Sequence, residues 1–540
     1  MTTNQDVLEA TVCISPATGE VLGDSQLNSG EDVRKAVEAG RAVQPGWAAL
    51  TVKERVKRIK PLRAYLVDHA DELAQLISQD NGKTRTDALV TEVLPATMAV
   101  DYYCRNAKSF LKDRRLMPAS LLMANKASKI VRVPYGVVGI ISPWNYPFSI
   151  PFSEVIMALL AGNAVVLKAA SETQMVGRAI ERCMSVLDIP AGLFHYINMP
   201  GRLAGKAFLD AGINKLFFTG SVMVGQELMA AAAHTLTPLV LELGGNDPML
   251  VCPDADLRRA AAGAVWAGLQ NCGQSCGGVE RIYVHRSVYQ PFLNALAARV
   301  QRLRMGIDLD HEVDLGAMTT ARQAREVKRQ VVAATKAGAV IYARSQAPAG
   351  TKGNFLPAMV LTKVDHSMEI MRLETFGPVL CVMAVEDMDQ GVGLANDSNL
   401  GLTASVWTKK AKEGERLARR LKAGVVMIND HLMSHGLPET PWGGFKHSGI
   451  GRTHGAIGMA EMTQSQCLVH DHMPLVKRDL WWYPHTPAVY RGLRAILDLL
   501  YGRTIKIRFK ALGSVLWLVP RMFFSDMGKV KSAPIAPDGE

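Results

Sequence analysis

Cysteine is scarce in this chain: eight in 540 residues, at 13, 104, 183, 252, 272, 276, 381 and 467, with no spacing that frames a set of disulfides. The scarcity argues against a disulfide-stapled secreted scaffold and for reduced thiols in a cytosolic setting. Cys272 and Cys276 have no second pair to complete a zinc site, which leaves them to packing or to chemistry of their own. Residues 1–6 lack a basic stretch ahead of an apolar core, so a secretory signal is not expected. Long apolar runs are missing as well. The run 511–520 covers ten residues, where a helix needs roughly 20 to span a bilayer. No internal repeat occurs, and the one biased stretch is the Pro/Gly/Lys-rich end after Lys529, expected to be disordered.

What is present suits an enzyme-sized globular protein. With 48% hydrophobic and 21% charged residues, the chain has the material for two or three domains with sizeable cores. Its net charge of +11 raises nucleic acid or a membrane as partners. From 471 to 540, however, there are eleven Lys/Arg against six Asp/Glu. The basic excess gathers in the tail, and no nucleic-acid partner is expected.

Along the chain, residues 12–22 predict a hairpin turning at Pro16-Ala17-Thr18-Gly19. Val52, Val56, Ile59, Leu62, Leu66, Leu73, Leu76 and Ile77 recur at helical spacing and predict one core-facing helix, stopped by Asp80-Asn81-Gly82. Residues 88–111 predict a second helix, and the β-capable 116–133 a protruding hairpin. Apolar runs then fall at 137–141, 164–167, 194–197, 215–218 and 239–241, each separated by a helix-length pattern. Such alternation is the signature of βαβ units in a doubly wound parallel sheet. After Asp254 it restarts, with a helix to Gln270, a strand at 282–284, a helix near 288–304 and strands at 379–382, 403–407 and 425–428. A second α/β domain is expected there.

Ligands of open α/β sheets bind beyond the carboxyl ends of the strands. Those ends carry Ser142-Pro143-Trp144-Asn145-Tyr146-Pro147, Lys168, Thr219-Gly220-Ser221 and Glu242-Leu243-Gly244-Gly245. Gly220 to Gly225 lies between a strand and a helix, where backbone N–H groups can meet a pyrophosphate, although it is not the GxGxxG pattern and a tight turn explains it as readily. In the stretch 271–281, Cys276 is followed by Gly277 and Gly278, which lets a ligand approach its sulfur and its amide. Cys276 is the candidate nucleophile; an isolated cysteine would more often be buried packing.

Six motifs now occur in order: Pro143 to Phe148, Phe218 to Ser221, Leu241 to Gly245, Gly273 to Cys276, Glu374 to Pro378 and Pro441 to Lys446. Together they resemble the NAD(P)-dependent aldehyde dehydrogenase superfamily, over about residues 10–470. The resemblance implies a Rossmann-like cofactor domain (1–113 and 134–243), a catalytic domain (244–450), a small β oligomerisation element (114–133 and 451–470) and an additional C-terminal extension (471–540). It implies oxidation of an aldehyde to an acid through a Cys276 thioester. Asn145 and the Cys276 amide would hold the oxyanion, and Glu242, 34 positions before Cys276, would activate the hydrolytic water. Relatives that transfer the acyl group to coenzyme A tend to lack this glutamate, so hydrolysis is preferred. A catalytically silent scaffold is the rival from another class.

For the cofactor, the resemblance assigns Trp144 and Lys168 to the adenosine side and Glu374 and Phe376 to the nicotinamide ribose and ring. Ser171, Gly220, Ser221, Gly225, Leu243 and Gly244 complete the expected contacts. Many relatives carry a glutamate three positions after the lysine, whereas this chain has Ser171 followed by Glu172. NAD is expected, with NADP the alternative. His431 and His435 lie four apart with Glu439 beyond, a metal-like spacing, but they sit in a Gly/Pro-bearing loop and are expected to shape a pocket.

A homodimer or homotetramer follows from the resemblance, through the 116–133 hairpin and a strand at 464–470. The tail departs from the common family length. Trp481-Trp482-Tyr483-Pro484 opens it, Leu493, Ile496, Leu497 and Leu500 share a helical face, and Arg503, Lys506, Arg508 and Lys510 follow. Residues 480–525 are expected either to meet the inner membrane surface or to pack on their own core or a neighbouring subunit.

Overall fold

A computed structural model describes residues 10–348, 350 and 352–524. The end after Lys529 lies outside them. The chain divides into two compact units, one of residues up to 112 with 132–464, the other of 113–131 with 465–540.

The larger unit is α/β and contains two large sheets besides the two-stranded hairpin of Ala10–Ile14 with Val21–Gln26. A six-stranded sheet runs in the order Gly449–Ile450, Leu239–Glu242, Lys215–Thr219, Val137–Ile141, Ala164–Lys168 and Phe194–Ile197, parallel except at its first strand. All five expected strands are here. They are parallel because helices cross over between them, and their continuous Val/Ile/Leu runs fit burial on both faces. From Val137–Ile141 the chain winds outward through the strands at 164 and 194, then returns to build at 215 and 239 on the other side. That reversal opens a crevice beside Ile141 and Thr219. The helix Ser149–Ala161 is buried on every side, as an all-round apolar sequence requires, and it carries one acid, Glu154.

A seven-stranded sheet runs Val340–Arg344, Met359–Thr362, Val379–Val385, Val279–His285, Asp247–Val251, Thr403–Trp407 and Val425–Ile428, antiparallel only at the first pair. Each sheet has its own apolar core.

Three expectations are corrected. The helix expected over 52–77 is three, Val52–Ile59, Leu62–Asp68 and Ala70–Asn81, because Pro61 follows the first and a bend at His69 separates the others. Gly82, left-handed at φ 97°, ends the last. The second expected helix contains a π turn, Leu89–Val93, between Arg85–Ala88 and Leu94–Phe110. The boundary placed at 451 falls later. Helix Gly455–Glu461 belongs to the larger unit, where the Gly455 amide donates to the Pro438 carbonyl at 2.8 Å and Lys215 pairs with Glu461 at 2.7 Å.

The smaller unit has a three-stranded sheet, Thr463–Asp471 beside Lys126–Pro134 beside Arg114–Leu116, the last two pairing as the expected hairpin. Its two helices, Pro487–Tyr501 and Ile505–Leu518, fold against each other. Leu480, Val489, Ile496 and Leu518 form their core, with Leu493 and Leu500 against it. The apolar face expected on the first helix is therefore largely spent on this packing. Among the described residues no helix is long and apolar enough to cross a membrane.

Candidate active site

Cys276 lies just before the strand Val279–His285, past a 3₁₀ turn, Gln270–Gly273, in which Asn271, Cys272 and Gly273 all take positive φ. Left-handed backbone at two non-glycine residues needs external support. The Asn271 amide donates to Asp87 Oδ2 at 3.0 Å, and the Thr319 amide to Gln274 Oε1 at 2.9 Å. Cys272 faces inward, its thiol 3.1 Å from the Gly316 carbonyl, and is packing.

Asn145 is buried on the loop after Val137–Ile141. One hydrogen of its amide goes to the Gln274 carbonyl at 3.0 Å. An amide nitrogen carries two, so a donor remains. Its backbone carbonyl accepts from Asn271 Nδ2 and from Lys83 Nζ, each at 2.9 Å. Lys83 also meets Glu92 at 2.6 Å, and Glu92 Oε2 accepts from the amides of Phe148 and Ser149 at 3.0 and 2.8 Å. A fully buried ion pair thus grips the middle and the far end of the loop that carries Asn145.

Glu242 ends its strand buried, and neither carboxyl oxygen has a hydrogen-bond partner. Burial, then the nearby Glu154 carboxyl, pushes its pKa well above the ordinary carboxylate range. An unpartnered buried carboxyl at a strand end is a base without an assigned proton. The Cys276 thiol is also pushed up, first by burial and then by Glu374, Asp247 and Glu242, while its own amide N–H pulls it down.

Two cavities meet at Cys276. One, of about 350 Å³, is lined by Trp144, Asn145, Gly220, Ser221, Glu242, Leu243, Gly244, Glu374 and Phe376, and so occupies the crevice of the six-stranded sheet. The other, of about 200 Å³, is lined by apolar side chains with Tyr146, Ser275 and His435. Cys276 alone among the described residues lines both.

The first cavity fits a nicotinamide dinucleotide. Ser221 caps the helix Val222–Ala232, whose first-turn amides have no intrahelical acceptor and suit a pyrophosphate. A Cβ on Gly244 would stand 2.3 Å from Glu374 Oε2, so only glycine leaves that carboxyl its place. Trp144 and Phe376 meet edge to face at 5.4 Å. Three expected contacts lie outside this lining. Lys168 is buried at the end of its strand, with burial pushing its pKa down to about 8. Ser171 opens the turn that follows. Gly225 lies within its helix, where an added Cβ would strike Leu243 at 2.7 Å; it seats Leu243 rather than facing the crevice.

His431 and His435 point to different tasks. His431 is buried between Ser405 Oγ at 2.8 Å and the Gly277 carbonyl at 3.1 Å, and so steadies the residue after Cys276. His435 lines the second cavity, edge to face with Trp442. Sequence reasoning missed Lys83, Glu92, Glu280 and Gln323. Glu280 accepts from the Thr375 and Phe376 amides at 2.9 and 2.8 Å, and Gln323 donates to both their carbonyls. For Glu92, Glu280 and Gln323 the available signal was an acid or amide standing within an otherwise apolar or amphipathic stretch; Lys83, in a polar run, gave none.

A cysteine between a sheet crevice and an apolar cavity, with an unpartnered acid and an amide donor at hand, suits the class of cofactor-dependent enzymes that work through a thiol. The model of the Aldehyde dehydrogenase family matches residues 2–468, and the chain belongs to that family. It is thereby an oxidoreductase acting on the aldehyde group.

Among relatives, it is 38% identical to "4,4'-diapolycopene aldehyde oxidase" of Methylomonas sp over 489 residues, 91% of each chain. That match extends past residue 468 into the tail. It is 35% identical to "Putative succinate-semialdehyde dehydrogenase [NADP(+)] 2" of Mycobacterium tuberculosis (strain ATCC 25618 / H37Rv), covering 84% of this chain and 86% of the other. Of solved structures, the NAD+ complex of the aldehyde dehydrogenase from Bacillus cereus superposes with a TM-score of 0.81 at 31% identity, over 86% of this chain and 93% of that one.

Proposed function

We propose that the chain oxidises an aldehyde to its carboxylic acid through a thioester on Cys276. The observation that carries this reading is the position of Cys276 at the meeting of the two cavities. The Cys276 thiol gives up its proton to solvent water and its sulfur adds to the aldehyde carbon. The oxyanion so formed is met by the free Asn145 amide hydrogen and the Cys276 N–H, each worth roughly 3 kcal/mol in the transition state. A bound NAD or NADP supplies the hydride acceptor for the oxidation. Glu242 then takes a proton from water, whose oxygen attacks the thioester carbon, and the acid leaves as the thiol is restored.

Burial raises the Glu242 pKa above the ordinary carboxylate range, the direction that strengthens a base taking a proton from water. NAD is the expected cofactor. Ser171 presents no carboxylate against a 2′-phosphate, so NADP is the alternative. With a panel of aldehydes and either cofactor, wild-type protein produces reduced cofactor and Cys276→Ala does not; equal rates would remove the mechanism. Product analysis with and without coenzyme A tests hydrolysis against acyl transfer.

Two features of the smaller unit support assembly. Residues 464–471 of the outer strand are exposed, an edge suited to pairing with a second copy in a homodimer or homotetramer. On Ile505–Leu518, the exposed Ile505, Phe509, Leu512 and Leu516 fall at helical spacing, with Lys506, Arg508 and Lys510 between them. Such a stripe suits an anionic lipid surface at the inner membrane. Full-length protein is expected to sediment with anionic vesicles, and Phe509→Glu with Leu516→Glu to abolish this; equal sedimentation would dismiss the contact.

A further inference from the structure

The second cavity narrows the substrate. Val90, Leu94, Met98, Trp266, Leu437 and Trp442 make its walls, and no lining residue carries a fixed charge. His435 is neutral near pH 7, because burial and then Lys83 push its pKa down to about 4. The Lys83 ammonium stands 4.5 Å from the centre of the wall residue Tyr146's ring, and it is already committed to Glu92 and the Asn145 carbonyl. Cations do gather nearby, as Arg299, Arg302 and Arg304, but around a separate cavity of about 540 Å³ that shares only Val90 and Trp266 with this one.

The mouth is apolar too. Val90, Leu94, Met98, Trp266 and Met433 are 36–49% exposed, an unusual concentration of large apolar side chains at a rim. An alkyl chain longer than the cavity therefore leaves it along apolar surface. A substrate bearing a terminal carboxylate would be stripped of water with no cation to receive it.

We propose that the aldehyde is an uncharged, long-chain apolar one, and not a short semialdehyde acid. This rests on Cys276 being the nucleophile. The test is kcat/KM across propanal, hexanal, decanal and succinic semialdehyde. It should rise by up to about fourfold per added methylene, with succinic semialdehyde at least 100-fold below hexanal. A flat series, or succinic semialdehyde equal to hexanal, overturns the proposal and leaves the catalytic reading intact.

Leu94→Arg places a cation on the rim, and its melting temperature reports that it folds. The ratio of decanal to propanal should fall at least tenfold; an unchanged ratio overturns the proposal. If no aldehyde reduces the cofactor, the catalytic reading fails, and calorimetry with two unreactive probes decides the cavity alone. Binding of decanol without 4-hydroxybutyrate supports an apolar site, and the reverse overturns it.

Discussion

At Asn145, one amide divides its work, one hydrogen fixed on the Gln274 carbonyl and one left for chemistry. Asn145→Ala is expected to lower kcat by about 10²–10³, measured at saturating aldehyde. Glu242 leads to a different signature. With Glu242→Gln the thioester still forms but its hydrolysis slows, so stopped-flow should show one equivalent of reduced cofactor and then a slow phase. In the proposed mechanism the base form of Glu242 is the active one, and its pKa is raised. The steady rate should therefore climb with pH through a transition above the ordinary carboxylate range, absent in Glu242→Gln. The positions of Glu242 at a strand end and of Cys276 in a run of small residues were legible in the sequence because these are local signals, while their roles came from the resemblance. Glu280, which holds the Phe376 loop, was not: its partners lie 95 and 96 positions away.

Among the elements, five strands of the six-stranded sheet were legible from apolar runs, whereas its short edge strand Gly449–Ile450 and the breaks in the early helices were not. Helical spacing continues across a proline or an inserted residue, so periodicity alone reports one helix where the backbone makes several. The strand Asp247–Val251 was missed because it opens with Asp and Pro, though it is fully buried within its sheet. The π turn has a consequence for stability. It carries Glu92, whose carboxylate neutralises Lys83 where neither has water. Glu92→Ala leaves a buried ammonium unpaired and should lower unfolding free energy by about 3–5 kcal/mol, read from denaturant titration.

In the whole molecule, the net charge of +11 conceals several buried acids. Burial raises the carboxyl pKa of Glu154 to about 8 and of Asp80 and Glu280 to about 7. The folded chain keeps these protons at a pH where the unfolded chain has released them, so stability falls as pH rises toward 8. His431 and His435, pushed down to about 4, act in the opposite sense, but only below about pH 6.5 where the unfolded ring is protonated. From pH 6.5 to 8 the acids dominate, opposed near pH 8 by Lys168, whose folded pKa is pushed down to about 8. The melting temperature should decline across that range, by the equivalent of roughly 3 kcal/mol, and Glu154→Gln should flatten the slope.

The two linings that share only Cys276 also bear on how such a chain diversifies. The walls proposed to meet the aldehyde come largely from the π turn, the helix after it and the loop at 432–437; those proposed to meet the cofactor come largely from strand ends and the loop at 373–376. Mutations can therefore accumulate in the first set while the second is conserved, and a lineage can exchange one diet of aldehydes for another without relearning how to carry away electrons.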